Sequence, residues 1–198
     1  MAGTRERIVA ATTELFRRRG FNGTSLKEIT TTAHAPTGSL YHFFPDGKTQ
    51  LAEAVITESG AAYQQLYELI ADAAADPVQA IGDFFDGAAD VLEQTDFIDI
   101  CPIGTVAREI ASTDETLRIA SDGVFAGWIE ASASRLRAAG LSVTQADELS
   151  ATLVAAVEGG FILARTRRDS DVLRGIGRQM QTLVSASLAA TATAGQAR

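Results

Sequence analysis

Residues 24–51, TSLKEITTTAHAPTGSLYHFFPDGKTQL, constrain this chain more tightly than any other stretch. Leu26 and Ile29 stand three apart on one apolar helical face. Ser25 and Glu28 form the S-x-x-E pattern in which each side chain satisfies the other's backbone N–H at a helix start. The break at His34-Ala35-Pro36 ends that helix, because a residue before proline is pushed out of the α region. Thr37 is placed to cap a second short helix in which Leu40 and Phe44, four apart, point inward. Left outward are Thr37, Gly38, Ser39, Tyr41 and His42, a face of small, hydroxylated and aromatic groups. Two short helices joined by a tight turn, the second with a polar outer face, have the layout of a DNA-reading helix-turn-helix.

The run from Arg5 to Leu51 resembles the amino-terminal DNA-binding domain of TetR-type transcriptional repressors, through ERIVAATTELFRRRGFNGTSLKEI and then TGSLYHFFPDGKTQL. The Pro45-Asp46-Gly47-Lys48 insertion before the next helix, and Cys101-Pro102-Ile103-Gly104 further on, resemble the LmrA/YxaF-like branch of that family. The likeness is specific over about the first quarter of the chain and weak afterwards. One position departs from it. The branch shows Tyr-His-His-Phe where this chain has Tyr41-His42-Phe43-Phe44, so a phosphate-facing histidine is not carried over to position 43. The resemblance implies a homodimer on a double-stranded DNA operator, released by a small-molecule effector.

Composition agrees once its distribution is read. The net charge of −8 argues at first against a nucleic-acid partner. Residues 1–50, however, hold seven Lys/Arg against four Asp/Glu, or +3, whereas residues 51–198 hold ten against twenty-one, or −11. A basic head on an acidic body turns the molecule toward phosphates. The 198 residues suffice for a small head and a larger body. No uninterrupted apolar run predicts a membrane span, and no basic-then-apolar leader predicts secretion. The single cysteine excludes an intrachain disulfide and fits a reducing cytoplasm.

The pattern predicts an all-α chain: a helix-turn-helix domain over 1–50, a ligand-binding and dimerisation domain over 51–190, and a disordered tail over 191–198. A first helix from about Thr4 to Arg19 carries Ile8, Ala11, Leu15 and Phe16 and stops at Gly20. A long helix starts near Lys48 and carries Leu51, Val55, Tyr63, Leu66 and Ile70. Pro77 suits a first turn, and Ile81, Phe84, Phe85, Ala88, Val91 and Leu92 make the next helix amphipathic. The break from Asp96 to Gly104 precedes a short helix ending near Ala111. Ser112-x-x-Glu115 and Thr144-x-x-Asp147 read as further helix starts, the first helix carrying Val124, Phe125, Trp128, Ile129 and Leu136, the second Leu149, Leu153, Val157 and Phe161. The last helix begins near Asp169, and the chain from Ala189 is expected to fray.

Candidate DNA contacts are Thr37, Gly38, Ser39, Tyr41 and His42 on the second short helix. Thr24, Ser25, Lys27 and Lys48 offer side chains and helix-start N–H groups to phosphate. In the body, Phe84, Phe85, Phe97, Phe125, Trp128 and Phe161 read first as core. The resemblance implies an effector pocket among them, with Cys101 and Arg108 beside it, Glu109 as a second polar anchor and Asp96–Ile103 as a gate. Cys101 reads as a buried small hydrophobe rather than a sensor, since no basic neighbour in sequence lowers its pKa. Gly159-Gly160 and the seam-like spacing of the last helix suggest an interface between two copies through Leu153, Val157, Gly160, Leu173, Ile176, Met180 and Leu183, against the alternative of intrachain packing.

Enzyme signatures such as G-x-S-x-G, a Walker lysine loop and H-E-x-x-H are missing from the sequence. Both histidines, His34 and His42, lie in the head, so no metal or cofactor is expected. Two alternatives stand beside the repressor reading: a DNA-binding regulator without an effector, and an all-α ligand carrier or enzyme with a helix-turn-helix look-alike.

Overall fold

The computed structural model describes residues 3–98 and 100–196, which form nine α-helices and no strand. In chain order these are α1 (Thr4–Arg19), α2 (Leu26–Thr32), α3 (Thr37–Phe43), α4 (Lys48–Ala73), α5 (Pro77–Gln94), α6 (Pro102–Ile110), α7 (Glu115–Ala138), α8 (Val143–Arg167) and α9 (Asp171–Gln196). Contacts divide the chain into two compact units, Met1–Ala62 with Asp99–Val124, and Tyr63–Ile98 with Phe125–Arg198. The sequence boundary near residue 50 places 99–124 with the body, whereas contacts group that segment with the amino-terminal helices.

The amino-terminal unit is built on α1. Ile8, Ala11, Leu15 and Phe16 form its buried stripe, and Gly20, at φ +74°, stops it while donating its N–H to the Phe16 carbonyl. Ser25 and Glu28 make the reciprocal cap that opens α2. The turn after α2 passes through His34 at φ +48°, with the Ala35 N–H returning to the Thr30 carbonyl at 3.0 Å. Leu40 and Phe44 are buried as expected and pin α3. Thr37 is the first residue of that helix and caps nothing, because Pro36 occupies the cap position. The unit also holds α6, whose Val106, Ile103 and Ile110 are buried.

The second unit is tied together by close helix approaches. A Cβ on Gly177 of α9 would lie 2.6 Å from Phe85 Cβ on α5, and one on Gly160 of α8 would lie 2.7 Å from Leu173 Cδ2 on α9. At both positions only glycine lets the neighbouring helix come this close. Arg174 on α9 clamps α5, reaching Asp90 at 2.6 Å and Glu93 at 2.9 Å. Asp96 and Phe97, both left-handed, follow α5. The Arg168 guanidinium pairs with the Asp96 carboxylate and lies over the Phe97 ring.

Several expected helix ends move. The Asp114 carboxylate, not Ser112, accepts the Leu117 N–H at the start of α7. Ser142 and Gln145 form the capping box of α8, two residues before the expected Thr144 pair. α9 starts at Asp171 rather than Asp169 and runs through the expected tail to Gln196; residues 197 and 198 lie outside the described residues. Leu66 and Val91, expected inward, are exposed. By length and composition α8 is also apolar enough to cross a membrane, with a mean hydropathy of 1.3 over a window only 22% buried. The sequence reading missed it because interspersed polar residues break the apolar run without lowering its mean.

Ser150, fully buried on α8, has a hydroxyl with no hydrogen-bond partner. A buried unsatisfied group costs about 1 kcal/mol or more, and alanine favours the helix. Ser150→Ala is therefore expected to raise the melting temperature by about 2–4 °C, checked by thermal melting of the two proteins.

Candidate nucleic-acid interface

Seven residues are too few for a helix to persist alone, so α3 owes its orientation to Leu40 and Phe44, which are buried where it meets α1 and α2. That anchoring turns Thr37, Gly38, Tyr41 and His42 outward, all exposed, while Ser39 is half-buried. A Cβ on Gly38 would meet nothing within 4 Å. Internal packing therefore does not demand a glycine there, and the bare backbone leaves room for a surface to approach closely.

The supporting groups separate. Ser25 Oγ accepts the Glu28 N–H and donates to the Glu28 carboxylate, which also takes the Ser25 N–H. Those two Ser25 bonds, aided by Arg19, hold the Glu28 carboxyl below its ordinary pKa. Ser25 and Lys27 remain exposed. Thr24 does not. It is 2% exposed and spends its hydroxyl on the Gly20 carbonyl at 2.8 Å, so it offers nothing to a phosphate. The threonine closes the α1–α2 turn, a role that looks identical in sequence to a helix-start donor.

Lys48 is half-buried, its ammonium 4.3 Å from the centre of the Phe21 ring. Burial lowers its pKa, partly opposed by Glu109 and Glu28. The lysine therefore stabilises the turn as well as offering charge. Three other basic groups of the head are paired with carboxylates: Arg5 with Glu58, Arg18 with Glu14 and Arg19 with Glu28. Such exposed pairs are weak and exchange readily for phosphate.

Glu109, an expected pocket anchor, instead accepts the Asn22 N–H at 2.8 Å. It joins α6 to the α1–α2 turn across 87 positions of sequence. No local pattern signals such a contact.

The candidate effector residues fall in both units. Phe84, Phe97, Phe125, Trp128 and Phe161 of the second unit are half-buried, and Phe85 is buried. Cys101 and Arg108 belong to the amino-terminal unit, the first buried with its sulfur accepting the Gly104 N–H, the second exposed. Asp99, inside the expected gate, lies outside the described residues. Two tyrosines on α4 join the aromatic group unannounced. Tyr63 packs edge-on to Trp128, which meets Phe125 in turn, and Tyr67 packs on Phe84. Burial pushes the Tyr67 phenol up from its ordinary pKa, partly opposed by Ser132 and Arg135.

Of the residues expected between two copies, Leu153, Val157, Gly160 and Leu173 are buried within the single chain. Gly160 serves the α8–α9 approach, which the sequence reading carried as the alternative. Ile176 and Met180 are half-buried and Leu183 is 41% exposed.

Comparison with known proteins fits this geometry. Residues 8–55 match the family model for bacterial regulatory proteins of the tetR family, and residues 77–179 that for the carboxy-terminal domain of LmrA/YxaF-like transcriptional regulators. The chain is 35% identical over 181 residues to the HTH-type transcriptional regulator YxaF of Bacillus subtilis, covering 91% of this chain and 95% of that one. It is 34% identical over 170 residues to LmrA of the same organism, covering 86% and 90%. A crystal structure of a TetR transcriptional regulator from Legionella pneumophila superposes with a TM-score of 0.83 at 25% identity, covering 92% of this chain and 98% of that one.

Tyr41 is half-exposed and Lys48 packs on Phe21, so the two alanine variants should differ. Tyr41→Ala is expected to weaken DNA binding about tenfold with an unchanged melting temperature. Lys48→Ala is expected to lower both, the melt because the ammonium–ring contact is lost. Gel shift and thermal melting of each variant check this pair. The lowered pKa of Glu28 means its stabilising effect is complete above the carboxylate range and lost as pH falls through it. The melting difference between wild type and Glu28→Gln should accordingly shrink on acidification.

Proposed function

The chain belongs to the TetR family of bacterial regulatory proteins, in its LmrA/YxaF-like branch, and we propose that this transcriptional regulator is a cytoplasmic repressor, dimeric on a pseudo-palindromic operator and released by a small apolar or aromatic effector. The observation that carries the reading is the outer face of α3, where Thr37, Gly38, Tyr41 and His42 stand exposed on a helix fixed from behind by Leu40 and Phe44. Two such helices, one per subunit, would enter successive major grooves. Ser25, Lys27 and Lys48 would meet the flanking phosphates.

Pairing of two copies is supported by the side of α8 turned away from α9. Thr152, Ala155, Ile162 and Thr166 are exposed there, and a Cβ on Gly159 would meet nothing within 4 Å. Ile162 is 40% and Leu163 52% exposed. A second copy covering this stripe, with Ile176, Met180 and Leu183 alongside, accounts for a long apolar helix left largely uncovered within one chain. The paired glycines thus divide their work, Gly160 inward and Gly159 outward. The half-buried aromatic groups Tyr63, Phe84, Phe125 and Trp128 support an apolar or aromatic effector. To release DNA, such a ligand must prefer the non-binding state strongly, since ~1.4 kcal/mol of differential affinity gives only tenfold.

A duplex selected by the protein from a randomised pool tests the first claim. Affinity is expected to fall steeply with salt, by about one power of salt concentration per phosphate contact. Binding that is absent or indifferent to salt would favour a carrier or enzyme. For the second claim, a compound found by heat stabilisation is expected to weaken that same complex; stabilisers that leave DNA affinity intact would leave a regulator without an effector.

A further inference from the structure

Phe43 is the part of α3 that neither the core nor the polar reading uses. Leu40 and Phe44 carry the anchoring, yet Phe43 is 37% exposed beside them. A phenylalanine has no polar atom to gain from water, so covering it would bury apolar surface that the single chain leaves in solvent. At 100° per residue, His42 sits at the centre of the outer face, with Tyr41 and Phe43 on its two flanks. Phe43 is also the last residue of the helix. In helix-turn-helix docking the first residues of the reading helix meet base edges. The final turn then lies toward the sugar–phosphate wall of the groove.

We propose that Phe43 packs its ring on a deoxyribose of the bound strand and supplies an apolar contact outside the ionic ones. The ring is already oriented: it meets the His42 imidazole edge-on, centroids 5.0 Å apart at 68°. Binding therefore need not freeze it. A contact of this kind releases no counterion and tolerates any base sequence. It complements a head in which Arg5, Arg18 and Arg19 are engaged with carboxylates.

This inference rests on the DNA-binding reading, and its test separates the two. Phe43→Ala and wild type are titrated with the selected duplex over a range of salt concentrations, and again with the duplex carrying uracil in place of thymine. Thermal melting of both proteins verifies that the variant is folded. The expected result is binding about tenfold weaker for the variant, with parallel salt plots and the same loss on both duplexes. Equal affinity overturns the inference, as does a changed salt slope, which would mean that the residue acts through a charged neighbour. A loss that vanishes on the uracil duplex also overturns it, because the ring would then be reading thymine methyl groups. Wild-type protein that binds no duplex at any salt concentration overturns the DNA-binding reading itself, and this inference with it.

Discussion

The head depends on one constraint: a seven-residue helix that presents chemistry to a partner has no stability of its own. Every outward angle on α3 is inherited from where Leu40 and Phe44 are buried, both at 3% exposure or less. The helix packs against α1, whose Arg5 lies over the Phe44 ring, and α1 is held from several directions. Thr24 closes its end, Arg7 donates to the Ala33 carbonyl after α2, and Glu109 of α6 takes the Asn22 N–H. A small rotation of α1 would therefore swing Tyr41 and His42 together. The polar face is only as rigid as the apolar one behind it.

The second unit solves a different problem, packing long helices side by side, and spends its glycines on it. Gly177 lets α9 approach Phe85 on α5, and Gly160 lets α8 approach Leu173 on α9. Between these contacts Arg174 gathers Asp90 and Glu93, a set that holds the guanidinium firmly charged. Such pairs are individually modest at a surface. Their effect here is directional: they fix which side of α9 meets α5, and hence which side of α8 is left to solvent.

Short-range logic was legible in the sequence. The α1 stripe, the Ser25–Glu28 cap, the turn before Pro36, the inward pair Leu40 and Phe44 and the Pro77 start all depend on residues within a turn or two. Caps failed where two acceptors compete within a few positions. Asp114 displaced Ser112, and Ser142 displaced Thr144, because the side-chain acceptor on the residue immediately before the first helical one reaches the free N–H groups. Face assignments failed on the long helices. On α9 the buried line runs through Leu173, Gly177 and Val184, and glycine is invisible to a hydrophobic pattern. On α8 the buried line includes Ala146, Ser150 and Ala164 for the same reason. Small residues make the tightest contacts and leave the faintest periodicity.

Charge follows the same division between local and distant. The surplus of +3 over residues 1–50 is real, yet the unit that contains those residues also gathers Glu58 and Glu109, which sequence spacing places far away. Over that unit nine Lys/Arg stand against eleven Asp/Glu, a net of −2, so net charge alone would predict no attraction to a polyanion. What survives is arrangement. The carboxylates of Glu58, Glu14 and Glu28 occupy arginines in exposed pairs that cost little to exchange, while Glu28 and Glu109 also hold backbone N–H groups of the α1–α2 region in place. The acids of this head order the donors more than they cancel them. On the proposed reading, selectivity for a duplex comes from the geometry of the α3 face rather than from net charge.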